Sequence, residues 1–491
     1  MPVAVNLRKL LHRKSPEYCT PSPAGNTGAG VFIVGDKAGM FPKHDGVVLV
    51  QNASGIWNYN PGEDGWMQLP NSGASGTFGA GACGCLHPRG MVGGANTVAV
   101  NAAGTTTTLR IAPTLVRSLA GVKIRVLSGT NSGYEGTITA NTVGAANCTL
   151  TVTPAAAANF DVTSVITIYS GSLWFVNAGA TSITVYDRAT NSWAAKSASG
   201  APGTLGTDAV LVATPGLISN GGAGFVTGTS SGSNGATSFN DTSKNWTDAN
   251  WTGYQIRITG GTGAGQIREI SSSMATSLGI TANWLVAPDA TSTYVIEGND
   301  NYLYLIGSNA VTLYRYSISG NTWSTLAPGA ARAGSPGTGC TGSWIDGVPA
   351  DNWNDGSYGA VNVAGTLRRQ LGRYIYSFQG SGTSSLHVYD IAGNTWITQD
   401  YSGRTETFST GSSAVDADGS IFLQKDATGR IYRFDVAGNY LEPFTTNPVP
   451  HGAAVVGSKM FLQKFKEGST EITFLYTMNN TRSELTRWLV V

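Results

Sequence analysis

Four times in this chain a tyrosine is followed seven positions later by a tryptophan, and each pair flanks a turn. The pairs are Tyr59 and Trp66, Tyr186 and Trp193, Tyr316 and Trp323, and Tyr389 and Trp396; Phe434 and Leu441 form a weaker copy in RFDVAGNYL. The turns themselves recur, as ATNSW, ISGNTW and IAGNTW ending at Trp193, Trp323 and Trp396. With 12 tryptophans in 491 residues, this recurrence exceeds chance spacing. Each copy reads as an outward strand, a polar turn and a returning strand. Such a hairpin cannot bury its own apolar face, so its repetition predicts an array in which neighbouring units cover one another.

Composition agrees with an all-β array. Charged residues make up 12%, about half the roughly 25% usual in soluble domains. The 65 glycines and abundant Thr, Ser and Asn suit turns and strands, and no stretch reads as a long amphipathic helix. A net charge of +1 supplies no global field toward nucleic acid or an anionic membrane. No apolar run approaches the 18 or more residues of a membrane span. MPVAVNLRKLLHRKSPEY lacks the apolar core of a secretory signal, so export by that route is not expected. Five cysteines (Cys19, Cys83, Cys85, Cys148, Cys340), odd in number and scattered, suit a reducing cytosol better than a disulfide framework.

In chain order, residues 1–42 read as an extended arm, either a frayed terminus or a docking segment. Arg8, Lys9, Arg13 and Lys14 are its candidate contacts to an acidic neighbour or, more weakly supported by four charges, to DNA. The array is expected over 43–89, 171–221 and 299–491. Two β-rich segments without a clamp pair interrupt it, at 90–170 and 222–298, and they are twins. GVKIRVLSGTNSGYEGTI from Gly121 aligns with GYQIRITGGTGAGQIREI from Gly253, matching Ile124 with Ile256, Arg125 with Arg257, Thr130 with Thr262 and Gly133 with Gly265. FDVTSVITI and PDATSTYVI match further on. We read both as small β lobes inserted between early units, as expected where stacked repeats must keep their contacts. The intervals from Tyr389 to Phe434 and from Phe434 to Tyr476 are 45 and 42 positions. FLQK, shared by 422–425 and 461–464, points to a last repeat whose anchor is Tyr476.

A unit of about 45 residues with several short strands has the size of a four-stranded propeller blade. Tyr186-Asp187 with Asn191 and Trp193, and Tyr389-Asp390 with Asn394 and Trp396, resemble the kelch blade. The paired glycine of kelch blades is not found in regular form. The expected fold is an all-β, kelch-like β-propeller of about six blades carrying two inserted lobes. The twin inserts, with RITGGTGAGQIREI and W-x-x-x-PDATSTYVI, are similar to short β segments recurring in structural proteins of tailed bacteriophages. That resemblance implies a virion protein, a ring-forming tail nozzle, tail-hub or head–tail component that acts by assembly with its own copies and other virion proteins. It would be made in the host cytoplasm.

Chemistry is sparse in the sequence. GTGAGQ (261–266) has phosphate-loop glycines, but QIREI reads as a strand where a phosphate fingerprint must open a helix. Cys83, Cys85 and His87 alternate, so a strand would aim them to one side, yet no fourth zinc ligand stands at the usual spacing. DNWNDG (351–356) resembles a calcium loop but puts Trp353 at the third ligand position. The five histidines (His12, His44, His87, His387, His451) form no copper-site pattern, and DIAGNTW departs from the sialidase box. No catalytic residue, metal or cofactor is therefore expected. Trp344, Trp353 and Tyr358, in a long loop rich in aromatics, are candidate partner contacts. Two rival roles follow from that loop and the lobes: an adhesin binding a glycan or host receptor, or a capsid-surface decoration protein. A carbohydrate-active propeller enzyme is the third.

Overall fold

The computed structural model describes residues 17–20, 32–34, 47–51, 55–60, 63–69, 82–176, 183–197, 199–203, 205–206, 208–214, 226–247, 250–307, 310–344, 361–363, 366–368, 372–403, 406–409, 413–417, 420–425, 428–445, 459–467, 470–478 and 485–490. Within them the chain is a β-propeller of six four-stranded antiparallel sheets. The first strands of the six blades are Phe32–Val34, Cys83–His87, Val210–Ala213, Ser343–Trp344, Ser413–Ala417 and Lys459–Glu467. Each neighbours the next, and the last returns to the first, so the inner strands close a circle.

A blade is covered on both faces by its neighbours, which removes the usual inside–outside alternation from its middle strands. Ser172–Val176 and Ile183–Asp187 of blade 2, and Tyr374–Phe378 and Leu386–Asp390 of blade 4, are buried at every position. The fourth strands, such as Ser192–Ala195, return to an exposed–buried pattern. Between blades 2 and 3, Trp174, Val185, Leu211, Leu305 and Tyr316 share one core; Tyr304, Trp344, Ile375, Tyr389 and Trp396 fill the next seam.

The repeated clamp occupies equivalent points of blades 1 to 4. Tyr59 pairs with Trp66, Tyr186 with Trp193, Tyr316 with Trp323 and Tyr389 with Trp396, across the third and fourth strands. The ring centroids lie 5.0, 4.9, 5.1 and 5.3 Å apart, a spacing at which aromatic pairs contribute about 0.5–1.5 kcal/mol beyond burial. Each tyrosine hydroxyl donates to the last turn residue: Asp64 at 2.6 Å, Asn191, Asn321 at 2.5 Å and Asn394 at 2.7 Å. Those acceptors have φ of 49°, 51°, 50° and 44°, the left-handed region that Asn and Asp tolerate best after glycine. Phe434 and Leu441 pair at the same point of blade 5 without the hydroxyl.

The turn also latches blades 3, 4 and 5 to their predecessors. The segment leaving one fourth strand supplies a carbonyl to the next: Ser199 accepts from the Trp323 amide, Ala330 from Trp396 and Ser402 from Leu441, each at 3.0 Å. Ring closure reuses this device. Glu17–Cys19 pairs with Leu485–Val490 as the fourth strand of blade 6. Thr20, which follows it, accepts from the Trp66 indole at 2.9 Å and donates to Asp64 at 2.9 Å in blade 1.

This closure corrects three expectations. Residues 1–42 are not an arm throughout, because Glu17–Cys19 completes blade 6 and Phe32–Val34 opens blade 1. Tyr476 is not the sixth clamp tyrosine. It lies on the second described strand of blade 6, paired with Phe461 and Arg487, and the blade's fourth strand arrives from the other end of the chain, leaving no hairpin turn to clamp. The two FLQK segments, by the same displacement, fall on the second strand of blade 5 and the first of blade 6.

The inserts lie within blades, not between them. The first leaves after the inner strand of blade 2 and returns to its second strand; the second does so in blade 3. A short hairpin, Val361–Val363 with Thr366–Arg368, occupies the same place in blade 4. The inner-to-second-strand turn can lengthen without disturbing the latch between fourth strands, which explains why all three use it. The first lobe is a closed six-stranded barrel of Val98–Ala102, Thr108–Ile111, Lys123–Ser128, Glu135–Asn141, Cys148–Thr153 and Val165–Ile168. The second has its six strands in the same cyclic order but is open between the first two, Val226–Thr229 and Ser238–Asn240. An aliphatic core including Leu109, Ile124, Ile138 and Leu150 fills the closed barrel. Bulkier Phe239, Trp246, Trp251, Trp284 and Tyr294 fill the open one.

Candidate assembly surface

The twin lobes meet each other through the positions that the sequence repeats. The tips carrying Gly133 and Gly265 touch: a Cβ on Gly133 would lie 2.9 Å from Ala264 Cβ, and one on Gly265 would lie 2.8 Å from the Gly133 amide nitrogen. Both glycines have positive φ, 87° and 86°, so conformation and close approach exclude a side chain. Gly133 also faces Thr259, while Gly265 faces Ser132 and Leu127. Leu127, Ser132 and Gly133 align with Thr259, Ala264 and Gly265, so each patch meets its own copy. This is the reciprocal contact pattern of a two-fold dimer, built within one chain.

Behind the tips lies a buried ion network. Arg125 Nη1 donates to Glu297 Oε1 at 2.9 Å, Arg257 Nε to the same oxygen at 3.2 Å and Gln255 Nε2 at 2.8 Å. Glu135, half exposed at the edge, lies 2.6 Å from Arg125 Nε and 2.8 Å from Arg257 Nη1. Burial alone would raise the Glu297 pKa, but Arg125 and Arg257 overcome it and bring it down to about 2. Two matched arginines, one from each lobe, thus share two carboxylates, and no charge in the group stands alone.

A second buried pair joins the neck of the lobes. Arg89, where the first lobe leaves blade 2, donates from Nε to Asp300 Oδ2 at 2.7 Å, where the second lobe returns to blade 3. His87 Nε2 lies 2.7 Å from the Asp300 carbonyl, and its Nδ1 accepts the Arg89 amide at 3.2 Å. Burial lowers the His87 pKa to about 4, so the ring is neutral at pH 7 and donates from Nε2. The lobes also rest on the blades: Val116 donates to the Ala189 carbonyl at 2.9 Å, and Tyr302 Oη donates to Glu269 at 2.7 Å.

These contacts change the standing of several predicted site residues. His87 uses both ring nitrogens in hydrogen bonds, which removes it from a metal site with Cys83 and Cys85. Trp344 is buried in the inner strand of blade 4, its indole donating to the Gly372 carbonyl at 2.9 Å; it presents no surface to a partner. The glycines of GTGAGQ turn between the strands Gln255–Gly260 and Ile267–Ser273. Arg8, Lys9, Arg13, Lys14, Trp353 and Tyr358 lie outside the described residues. Sequence reasoning matched Arg125 with Arg257 but gave them no role, and it missed Arg89, Glu135, Glu297 and Asp300. The available signal was an arginine at the same place in two matching strands, KIRVLS and QIRITG, flanked on both sides by apolar residues.

The lobes differ beside Gln266, whose side-chain oxygen accepts from the Leu285 and Val286 amides. Leu285 is 84% exposed and Val286 55%, where the first lobe has Ala157 and Ala158 when Asp161 is aligned with Asp289. Among the described residues, no helix is long and apolar enough to cross a membrane.

No protein-family model matches the chain. No curated protein matches it. Among solved structures it is similar to YCF48 from Cyanidioschyzon merolae, with 11% identity and a TM-score of 0.34 over 96% of this chain and 98% of that one. It is also similar to a chain in a crystal structure of a mitotic checkpoint complex, with 10% identity and a TM-score of 0.36 over 97% and 96%. A third is regucalcin from Agrobacterium tumefaciens, with 11% identity and a TM-score of 0.25 over 65% and 86%. At these values the likenesses carry no argument, and the propeller rests on the sheets of this chain.

Proposed function

We propose that this chain is an assembly protein of a tailed-bacteriophage particle, a ring-forming nozzle, hub or head–tail subunit whose propeller is the base and whose paired lobes are the contact head. The observation that carries the reading is the placement of the inserts. Three consecutive blades extend the same inner-to-second-strand turn, and two of the extensions are bound together by Arg125, Arg257, Glu135 and Glu297. A pair held at matched glycine tips and at a buried neck presents one rigid shape, which lowers the ordering cost of docking to a neighbour. The virion assignment rests on the likeness of the twin lobes to segments of phage structural proteins, and the kelch assignment on the Tyr-Asp-Asn-Trp turn. The role is assembly; the two ion groups that join the lobes, Arg125 and Arg257 with Glu135 and Glu297, and Arg89 with Asp300, are matched acid to base within the fold.

The test is native mass spectrometry and electron microscopy of the full-length protein, followed by labelling of the intact particle. Closed rings of uniform copy number at the tail or head–tail junction are expected. A monomer at high concentration that is also absent from purified particles would overturn the proposal. Asp substitution of Leu285 and Val286 is expected to weaken ring formation and leave the melting temperature unchanged.

A further inference from the structure

In the seam between blades 3 and 4 the guanidinium of Arg332 has no carboxylate partner among the described residues. Arg332 sits on the connector from blade 3 to blade 4, between exposed Ala331 and Ala333, and its own side chain is turned inward to 4% exposure. Nη1 donates to Ser377 Oγ at 2.9 Å, and the guanidinium carbon lies 5.0 Å from the centroid of the Trp396 ring. Nε and Nη2 have no hydrogen-bond partner among the described residues. The Trp396 indole nitrogen, on the ring beneath, also has none.

Two N–H-bearing nitrogens of buried Arg332 and the indole nitrogen of Trp396 thus lack an acceptor among the described residues. Three other buried arginines are matched to carboxylates: Arg89 to Asp300, and Arg125 and Arg257 to Glu297. Arg373, nearby in blade 4, engages Asp390 through Nε and Nη2, both at 2.7 Å. The edge that is satisfied in Arg373 is the edge left open in Arg332. The Nε–Nη2 edge of a guanidinium matches two oxygens of a carboxylate or a phosphate, and a buried charge is costly unless paired. His387, on the same seam, is hydrogen-bonded at 3.0 Å to Gln379; burial and then Arg332 hold it neutral at pH 7, and a histidine supplies no negative charge in either protonation form.

We infer that the Nε–Nη2 edge of Arg332 is a binding site for a small oxyanion, either a carboxylate or a tetrahedral phosphate-type group. The bound group would accept two parallel hydrogen bonds from Nε and Nη2 and complete the seam between blades 3 and 4. This inference is independent of the phage reading, since it concerns the cohesion of the propeller.

The test uses the full chain in a cacodylate-free, amine-buffered solution, titrated with sodium acetate, sodium phosphate or sodium chloride at equal ionic strength. Melting temperature and tryptophan fluorescence are followed. A saturable rise in melting temperature with acetate or phosphate, absent with chloride, is expected; which of the two acts at lower concentration identifies the source chemistry. Arg332→Lys keeps the charge but loses the fork and should weaken the response at least tenfold. Arg332→Met should abolish it, with a melting temperature no lower than that of the anion-free parent, because an apolar replacement removes an unpaired buried charge. A parent protein indifferent to both oxyanions, or an Arg332→Met variant that keeps the response, would overturn the inference. The parent titration decides even where a variant fails to fold.

Discussion

Replacing Glu297 with Gln removes one charge from the centre of the lobe pair and changes almost nothing in volume. Glu297 is 1% exposed and accepts from Arg125, Arg257 and Gln255. Without it the two guanidiniums share only Glu135, whose side chain is 45% exposed. Removing one partner of a buried ion group costs about 3–5 kcal/mol. The protonation equilibrium gives a similar figure: a fall from 4.5 to about 2 corresponds to about 3 kcal/mol at ~1.4 kcal/mol per pH unit. Because the folded-state value lies below the unfolded one, this stabilisation is complete above about pH 5 and is lost as pH falls from 4.5 toward 2. The assay is hydrogen exchange of 98–168 and 226–297 in the full chain, at pH 7 and at pH 4. The Gln variant should speed exchange across both lobes at pH 7, by roughly a hundredfold for ~3 kcal/mol, and the gap from the parent should narrow at pH 4. A variant that exchanges like the parent at pH 7 would show that the network does not hold the lobes, and the rigid contact head would fall with it.

Four further outcomes follow from the same contacts. Gly133→Ala, which needs a Cβ at positive φ and 2.9 Å from Ala264 Cβ, should separate the tips and increase protease access at 130–134, while an alanine at exposed Gly144 should cost only its backbone strain. Asp64→Ala removes the acceptor of Tyr59 and Thr20; it should cost about 1–3 kcal/mol and raise exchange at Glu17–Cys19 in preference to blade 3. Tyr316→Phe, losing the bond to Asn321, should cost about 1 kcal/mol in thermal unfolding, while Asn321→Gly at φ 50° should be tolerated better than Asn321→Val. His87, lowered from 6.5 to about 4 by burial, favours the fold above pH 6.5 and loses that contribution as pH falls toward 4; His387 is lowered over the same range, so His87→Gln should reduce the slope of the stability profile in that window without abolishing it.

The blades were legible because their signature is local. A tyrosine and a tryptophan seven positions apart must meet if the residues between them make a hairpin, and the Asn or Asp at the turn is placed by its own backbone preference. The twin lobes were legible as copies, although a match between two strings does not tell that Gly133 rests on Gly265, or that one barrel closes while the other stays open. Ring closure was hidden for the opposite reason. Glu17–Cys19 is three residues long and its partner strand begins at Leu485, so no periodicity links them, and the regular spacing from Phe434 made Tyr476 look like one more anchor.

Periodic aromatics, polar turns and a duplicated segment were enough for an all-β propeller with two related inserts, since each depends on residues within one hairpin or one copy. Where the charges ended up was settled by folding. Arg125 meets Glu297 across 172 positions and Arg89 meets Asp300 across 211, while Arg332 meets no carboxylate at all among the described residues. A charge in a strand can be read from the chain, but the cost of burying it depends on what distant segments bring within about 3 Å.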